Sequence, residues 1–455
     1  MRTSLTACAA IALAILPLRA GAEPPVGPGG TGAAKIVDLA DCVRLGLSND
    51  PGLRSDDLES AAADARVREM QGQYYPSVSV QAGYARLSDV TPGSMTIDVG
   101  VPRQVTFPAP PSNSTIVKLS LQQPLFTGLR IASSIRQAEA VRASASSDAA
   151  RTRREVRRAA VEAFWQLAKA KALAGAAQEI EAQLDRRLGD VKTLFDQGVA
   201  MKNDLVQAAM RLEDSRIDAG NAASARELAR VRLAQLLGVP LSPGVDIPDD
   251  PGATAPAPVP QGPGGLDEIV SRALVVRPEV ASARSRVSAQ DAAFDVVHAG
   301  RFPSVMLTGD YTLANPNQRV FPQADQFDGT WSLGIMASFD IGRYPQIAAQ
   351  EDQARARAAQ AREAVRRVSD GVAAEVVRAA ITLNAALRSY ESLKVETAQA
   401  EENARFVKER HRQGVALPSA ELDAQTLLSR ARFREQAGLY DCLIARSAFD
   451  AAVGE

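Results

Sequence analysis

Apolar residues recur along this chain with two different periods, and each period predicts its own element. Leu129 to Leu194 holds no proline and only two glycines, Gly175 and Gly189. Toward its end Leu173, Ala177, Ile180, Leu184, Leu188, Val191 and Phe195 are spaced by threes and fours, the seam of a coiled coil. Arg343 to Arg410 repeats the pattern through Val365, Val368, Val372, Val376, Ala379 and Leu383. Its Pro345 falls in the first turn, where the ring is tolerated. At a rise of 1.5 Å per residue each stretch predicts a helix roughly 100 Å long. Both runs end at Gln-Gly, and glycine after a helical run is a C-cap signal. A new helix follows each turn: Asn203 or Asp204 can cap the first, and Pro418-Ser419 opens the second. The chain therefore predicts two long helical hairpins, over 129–237 and 343–453. Their tips are Gly198, Val199 and Ala200, and Gly414, Val415 and Ala416.

The second period is two. Val78, Val80, Ala82 and Tyr84 alternate with Ser77, Ser79, Gln81 and Gly83, and Val117, Leu119 and Leu121 with Lys118, Ser120 and Gln122. Val305, Leu307 and Tyr311 alternate with Met306, Thr308 and Asp310. Trp331, Leu333, Ile335, Ala337 and Phe339 alternate with Ser332, Gly334, Met336 and Ser338. Strands are predicted over 76–87, 116–126, 303–313 and 330–340. One apolar face and one small, polar face is the pattern of a barrel with lipid outside and water inside. A soluble sandwich alternates in the same way. The aromatics favour the barrel: twelve of the 21 fall within Tyr74–Ile131 and Phe302–Tyr344. Tyr74, Tyr75, Phe126, Phe302, Phe339 and Tyr344 stand at strand ends, where interfacial girdles belong. The smallest membrane barrels have about eight strands, so four cannot close alone and several chains must contribute. The segments joining paired strands, Arg86 to Thr115 and Thr312 to Thr330, are polar or proline-rich and suit extracellular loops.

The whole pattern occurs twice. Tyr75-Pro76-Ser77-Val78 aligns with Phe302-Pro303-Ser304-Val305, Leu119 and Leu121 with Leu333 and Ile335, and Gln197-Gly198-Val199-Ala200 with Gln413-Gly414-Val415-Ala416. Repeat 1 spans 35–238 and repeat 2 spans 266–455. Between them, 239–265 is loaded with proline and glycine and reads as a linker without regular helix or central strand. Residues 23–34 are similar and read as disordered.

Composition narrows the function. Residues 1–22 carry Arg2, a short apolar run and Ala20-Gly21-Ala22, the marks of a cleaved secretory signal peptide. No later segment approaches 18 uninterrupted apolar residues, so a membrane protein would span as a β-barrel. The formal charge of -1 leaves no basic footprint for nucleic acid. Arg151, Arg153, Arg154, Arg157 and Arg158 read as a solvated helix face. The two histidines, His298 and His411, stand in no nucleophile or metal spacing, and no glycine-rich phosphate loop follows a strand. The chain reads as no enzyme, with no cofactor and no metal site. Cys42 and Cys442 remain after signal cleavage, either as two buried free thiols or as a disulfide joining the chain's ends. A periplasmic coiled-coil scaffold without a pore is the main alternative to a channel.

The segments YYPSVSVQAGY, LSLQQPLFTGLR and GVAMKNDLVQA, with RFPSVMLTGDY and GVALPSAELDAQ in the second half, resemble in order, duplication and spacing the TolC family of outer-membrane efflux proteins. The resemblance covers nearly the whole mature chain. It implies a mainly α fold with a membrane β-barrel: a homotrimer with a 12-stranded barrel continued by a 12-helix periplasmic α-barrel. It implies an outer-membrane location in a Gram-negative bacterium, in contact with outer-membrane lipid. The implied partners are a periplasmic adaptor and an inner-membrane pump. The implied function is the passive duct of a tripartite efflux system, or alternatively of type I protein secretion. It also implies a pore constriction at the tips. Asp423 falls on a position of a carboxylate ring, and Asp204 on a position of an inter-helix link. Ala420 and Ala416 depart from the family there, replacing a second ring carboxylate and a basic link partner. Helix capping is the plainer reading of Asp204, and a solvated helix charge that of Asp423.

Overall fold

The computed structural model describes residues 35–454, except 92, 99, 101, 107–110, 242–243, 250, 260–263, 322, 414 and 416–417. The expected signal peptide (1–22) and disordered segment (23–34) lie outside the described residues. The first half runs β1 (Lys35–Ile36), α1 (Leu39–Asn49), α2 (Pro51–Gly72), β2 (Ser77–Arg86), β3 (Ser94–Asp98), β4 (Pro102–Thr106), β5 (Asn113–Phe126), α3 (Arg130–Asp196) and α4 (Lys202–Leu236). The second half runs β6 (Val245–Asp246), α5 (Gly265–Val276), α6 (Pro278–His298), β7 (Ser304–Asn315), β8 (Asp328–Ser338), α7 (Tyr344–Arg412) and α8 (Pro418–Val453).

The long helices have 67 and 69 residues, roughly 100 Å each at the α-helical rise. Near the sheet, α3 packs on α2 and α6, and α6 packs on α7. Toward the tip, α3 packs on α4 and α8, and α8 packs on α7. The chain is thus a layer four helices wide at both levels. Two apolar cores gather halfway along the long helices. Phe164, Trp165 and Leu167 of α3 meet Val37, Cys42, Leu233 and Leu237 in one. Val372, Val376 and Leu383 of α7 meet Val280, Phe449 and Val453 in the other. Arg277 is buried beside the second core. Its guanidinium donates to the carbonyls of Ala451 and Ala452 at the end of α8, at 2.9 and 3.1 Å, and to Glu375 of α7 at 2.8 Å. It thereby satisfies orphan carbonyls at a helix terminus.

Two segments differ from expectation. The loop after β2 contains a second antiparallel hairpin, β3–β4, turning at Gly100, whose φ of +88° suits glycine. The expected linker is also partly ordered into the core. Its proline and glycine content forbids helix but not extended chain, so β6 pairs in parallel with β1. Val245 and Ile247 are each 1% exposed. Further along, Asn384 of α7 clips the backbone of Val259, accepting from its N–H at 3.1 Å and donating to its carbonyl at 3.2 Å.

Candidate functional site

The sheet supplies one end of the site. Its four long strands are antiparallel in the order β2-β5-β7-β8. Side chains alternate faces along a strand, and directly paired residues share a face. Val78 pairs with Leu121, and Val80 with Leu119. Leu119 pairs with Tyr311, and Leu121 with Gly309. Tyr311 pairs with Trp331, Gly309 with Leu333, and Leu307 with Ile335. The register therefore gathers the apolar positions of all four strands onto one continuous face. That face is bare: Val80 is 66% exposed, Trp331 72% and Leu333 64%. The opposite face is polar. There Lys118 lies 3.1 Å from Asp310, and the Ser332 hydroxyl donates to Asp310. Among the described residues, β2 and β8 are the edges of this sheet and each has one unpaired side.

The helical tips form the other end. At the first, Gly198 takes φ +73°, and the N–H groups of Val199 and Ala200 both reach the Leu194 carbonyl, at 2.9 and 3.1 Å. The cap of α4 is Met201 rather than Asn203 or Asp204. Asp204 instead occupies the third helical position and reaches back, accepting from the Met201 N–H at 3.0 Å. A carboxylate there satisfies an orphan donor and complements the positive end of the helix. Val199 and Met201 are 72% and 75% exposed. At the second tip, Val415 is exposed and donates its N–H to the Arg410 carbonyl at 2.9 Å. Gly414 and Ala416 lie outside the described residues.

The two constriction candidates are not brought together within the chain. Asp204 is bound to the start of its own helix. Asp423 projects from α8 and takes Arg211 of α4 as partner, with 2.7 Å between guanidinium and carboxylate. Arg211 carried no signal in the sequence, since the pair is 212 residues apart. Close by, His411 Nε2 lies 3.6 Å from the buried Glu421.

Sequence reasoning also missed a buried cluster where α6 and α7 meet the sheet. Glu351 is 2% exposed. It accepts from Arg301 through both carboxylate oxygens, at 2.5 and 2.6 Å, and is 2.9 Å from His298 Nδ1. These donors, Arg301 first, hold its carboxyl at about 2. His298 stacks on Phe294 and meets Phe302 edge-on, while the Arg301 guanidinium lies over Tyr344. Only Arg355, one turn from Glu351, hinted at this pairing locally. Among the described residues, no helix is long and apolar enough to cross a membrane, and no group of acidic, His and Cys side chains gathers to hold a metal ion. Cys42 and Cys442 are separate, buried free thiols.

A family model described as outer membrane efflux protein matches this chain twice, over residues 43–239 and 269–455. Protein CyaE of Bordetella pertussis (strain Tohama I) is 26% identical over 293 residues, 64% of this chain. The match spans 58% of that relative's length. Among solved structures, the outer-membrane channel OprN superposes with a TM-score of 0.73 at 21% identity, covering 91% of this chain and 89% of OprN. The Campylobacter jejuni CmeC outer membrane channel gives 0.72 at 16% identity, covering 91% and 85%. At these identities the likeness concerns the fold.

Proposed function

The chain belongs to the outer membrane efflux protein family, and on that premise we propose that it is one third of an export duct across the outer membrane of a Gram-negative bacterium. Three copies, each giving four strands, close a 12-stranded barrel with lipid against the face of Leu119, Leu307 and Leu333 and water against that of Thr308 and Asp310. Below the barrel the four-helix layers of three copies join into a 12-helix tunnel through the periplasm. One observation carries this reading: a sheet with an apolar face bare across all four strands and both edges unpaired. Such edges invite another chain, and full closure removes them. Four is an even number, so the outer strands run in opposite directions. β8 of one copy therefore meets β2 of the next antiparallel, as every other pair in the sheet does.

The duct is passive and takes its cargo from a periplasmic adaptor and an inner-membrane pump, as in tripartite efflux. The tips, Gly198, Val199 and Ala200 with Gly414, Val415 and Ala416, are the surface that meets the adaptor. The exposure of Val199, Met201 and Val415 supports this. Asp423 lines the constriction with its charge balanced by Arg211, and Asp204 holds the first tip in shape. A duct for type I protein secretion would share this geometry, and the drug- and metal-sensitivity profile of a deletion strain separates the two. The assembly is tested by mass in mild detergent together with planar-bilayer recording. A trimer that conducts is expected. Stable, folded, non-conducting monomers would overturn the proposal.

A further inference from the structure

The bare apolar face of the sheet carries a single charge. Among the outward positions of β2, β5, β7 and β8, Arg86 at the end of β2 is the only ionic side chain. Its place on that face is fixed by Asn113 of β5. The Asn113 Oδ1 accepts from the Tyr84 hydroxyl at 3.1 Å and from the Arg86 guanidinium at 3.0 Å. That acceptor is neutral. Because β2 is an edge, the other flank of Arg86 is open. The opposite edge, β8, presents Trp331 equally bare.

The geometry of closure says which residues meet. Directly paired residues lead across the sheet from Val78 to Leu121, Gly309 and Leu333. In a closed barrel Leu333 faces β2 of the next copy, and the apolar faces match only if the partner lies an even number of positions from Val78. Shifts of four, six and eight residues put Ala82, Tyr84 or Arg86 there. Four strands are about 19 Å wide and each residue advances about 3.3 Å, so these shifts tilt the strands by about 35°, 45° and 54°. Membrane barrels tilt by about 35–45°, which leaves four and six. The internal repeat decides between them. Inside the chain the repeats meet at β5 and β7, where Leu119 faces Tyr311. Leu333 is the counterpart of Leu119, and Tyr84 that of Tyr311. The same contact between copies sets Leu333 against Tyr84, the shift of six, and Trp331 against Arg86. The shift of eight follows instead if Ile335, which faces Leu307 as Leu119 faces Val80, takes the place of Leu119. It would set Arg86 against Leu333, near the middle of the proposed bilayer, where a guanidinium is costly.

We propose that the seam between copies reuses the contact between repeats, with Leu333 opposite Tyr84 of the next copy and Trp331 opposite its Arg86, and that this Arg86 lies over the Trp331 ring as a cation–π clasp. The inference rests on the export-duct reading above. Directly opposed residues have Cβ atoms about 5 Å apart, within reach of a guanidinium over an indole face. Trp331 stands two residues outward of Leu333, and one strand step at this tilt lifts Arg86 further, to roughly 8 Å above Leu333. Both side chains then approach the headgroup boundary, where tryptophan rings belong and an arginine stem can carry its charge toward water. The clasp accounts for the one charge on the bare face and gives the seam a fixed register, which apolar alternation alone leaves free to slip by two. Arg319 of the same chain is the rival cation, since it donates to the Trp331 carbonyl at 3.2 Å.

Two measurements on the full-length protein test this. Under mild oxidation L333C/Y84C should give covalent trimers, because opposed strand residues lie within disulfide range. L333C/A82C and L333C/R86C, which match the slipped registers, should stay uncoupled. Stronger coupling in either slipped pair, or none in any pair while the trimer is intact, overturns the register. The clasp is read without cysteines, from the rate at which trimers dissociate in detergent. Arg86→Gln and Trp331→Leu should each speed dissociation by roughly two- to fivefold, the worth of an exposed cation–π contact. The double variant should be no faster than the quicker single one. Additive effects, no effect of either change, or coupling of Trp331 to Arg319→Gln instead of Arg86→Gln overturn the clasp. A wild-type protein that forms no trimer at all would instead sink the export-duct reading itself.

Discussion

The parity of the sheet makes the sharpest prediction. β8 has 11 residues with Leu333 at its centre. At about 3.3 Å per residue and a tilt of about 40°, the strand rises roughly 28 Å along the barrel axis. That matches the apolar band of roughly 25 Å on outer-membrane barrels, so in the proposed barrel Leu333 falls at the bilayer midplane. Leu333→Arg places a guanidinium in hydrocarbon there, at about 2–4 kcal/mol per copy. If the three copies add independently, the trimer loses ~6–12 kcal/mol. Thr308→Arg places the same guanidinium on the adjacent strand, one residue from the Leu333 level and on the opposite face. Thr308 pairs with Gly334 on the face proposed to meet water. Its expected cost is that of a surface change, within about 0.5 kcal/mol. The assay is the fraction of trimer surviving in detergent as temperature is raised. Leu333→Arg should lower the midpoint steeply or abolish assembly, while Thr308→Arg keeps it near wild type. Equal losses on the two faces would refute the assignment of lipid and water.

Glu351 predicts a pH dependence. Its carboxyl is held at about 2, below the ordinary 4.5, so the stability it contributes is complete above about 4.5 and is lost as pH falls toward 2. Melting temperatures should fall through that window in the wild type more than in Glu351→Gln, and identical profiles would refute the role of the cluster. At the tip, Asp204→Ala removes the acceptor of the Met201 N–H and should destabilise the first hairpin by about 0.5–1 kcal/mol. Faster amide exchange confined to the start of α4 is the expected readout, and unchanged exchange at Met201 argues against the cap. Burial pushes the Cys42 thiol up to about 12 and the Cys442 thiol up to about 11. Native protein should therefore resist maleimide while denatured protein labels at both. Recovery of a peptide joining Cys42 to Cys442 would contradict two free thiols.

What the sequence discloses follows from the range over which each interaction acts. Proline-free stretches with apolar steps of three and four announce α3 and α7, because helix is a local decision repeated along the chain. Alternation announces β2, β5, β7 and β8 for the same reason. The pairing of β6 with β1 is hidden because two residues carry no period, and because the proline-rich stretch around β6 signals only what it cannot be. Glu351 looks like one more charge on a charged helix. Its buried state depends on His298 and Arg301 arriving from another element. Arg211 is hidden more completely: pairing it with Asp423 requires knowing that α4 and α8 flank α3. The hairpin turns were legible from glycine, but the cap was not. Asn203 and Asp204 have the right chemistry two and three residues late, and the carboxylate works backward from inside the helix.

The open edges of the sheet have a consequence for biogenesis. A single copy holds two rows of backbone donors and acceptors that hydrocarbon cannot satisfy, at several kcal/mol for each group left unpaired. It also carries an apolar face that water does not tolerate. In the proposed trimer neither solvent suits the lone chain, which couples closure to insertion: the copies are expected to meet and enter the bilayer as one event. The rate of maturation should then rise steeply with the concentration of newly secreted chains, and at low expression the unassembled pool stays open to proteases.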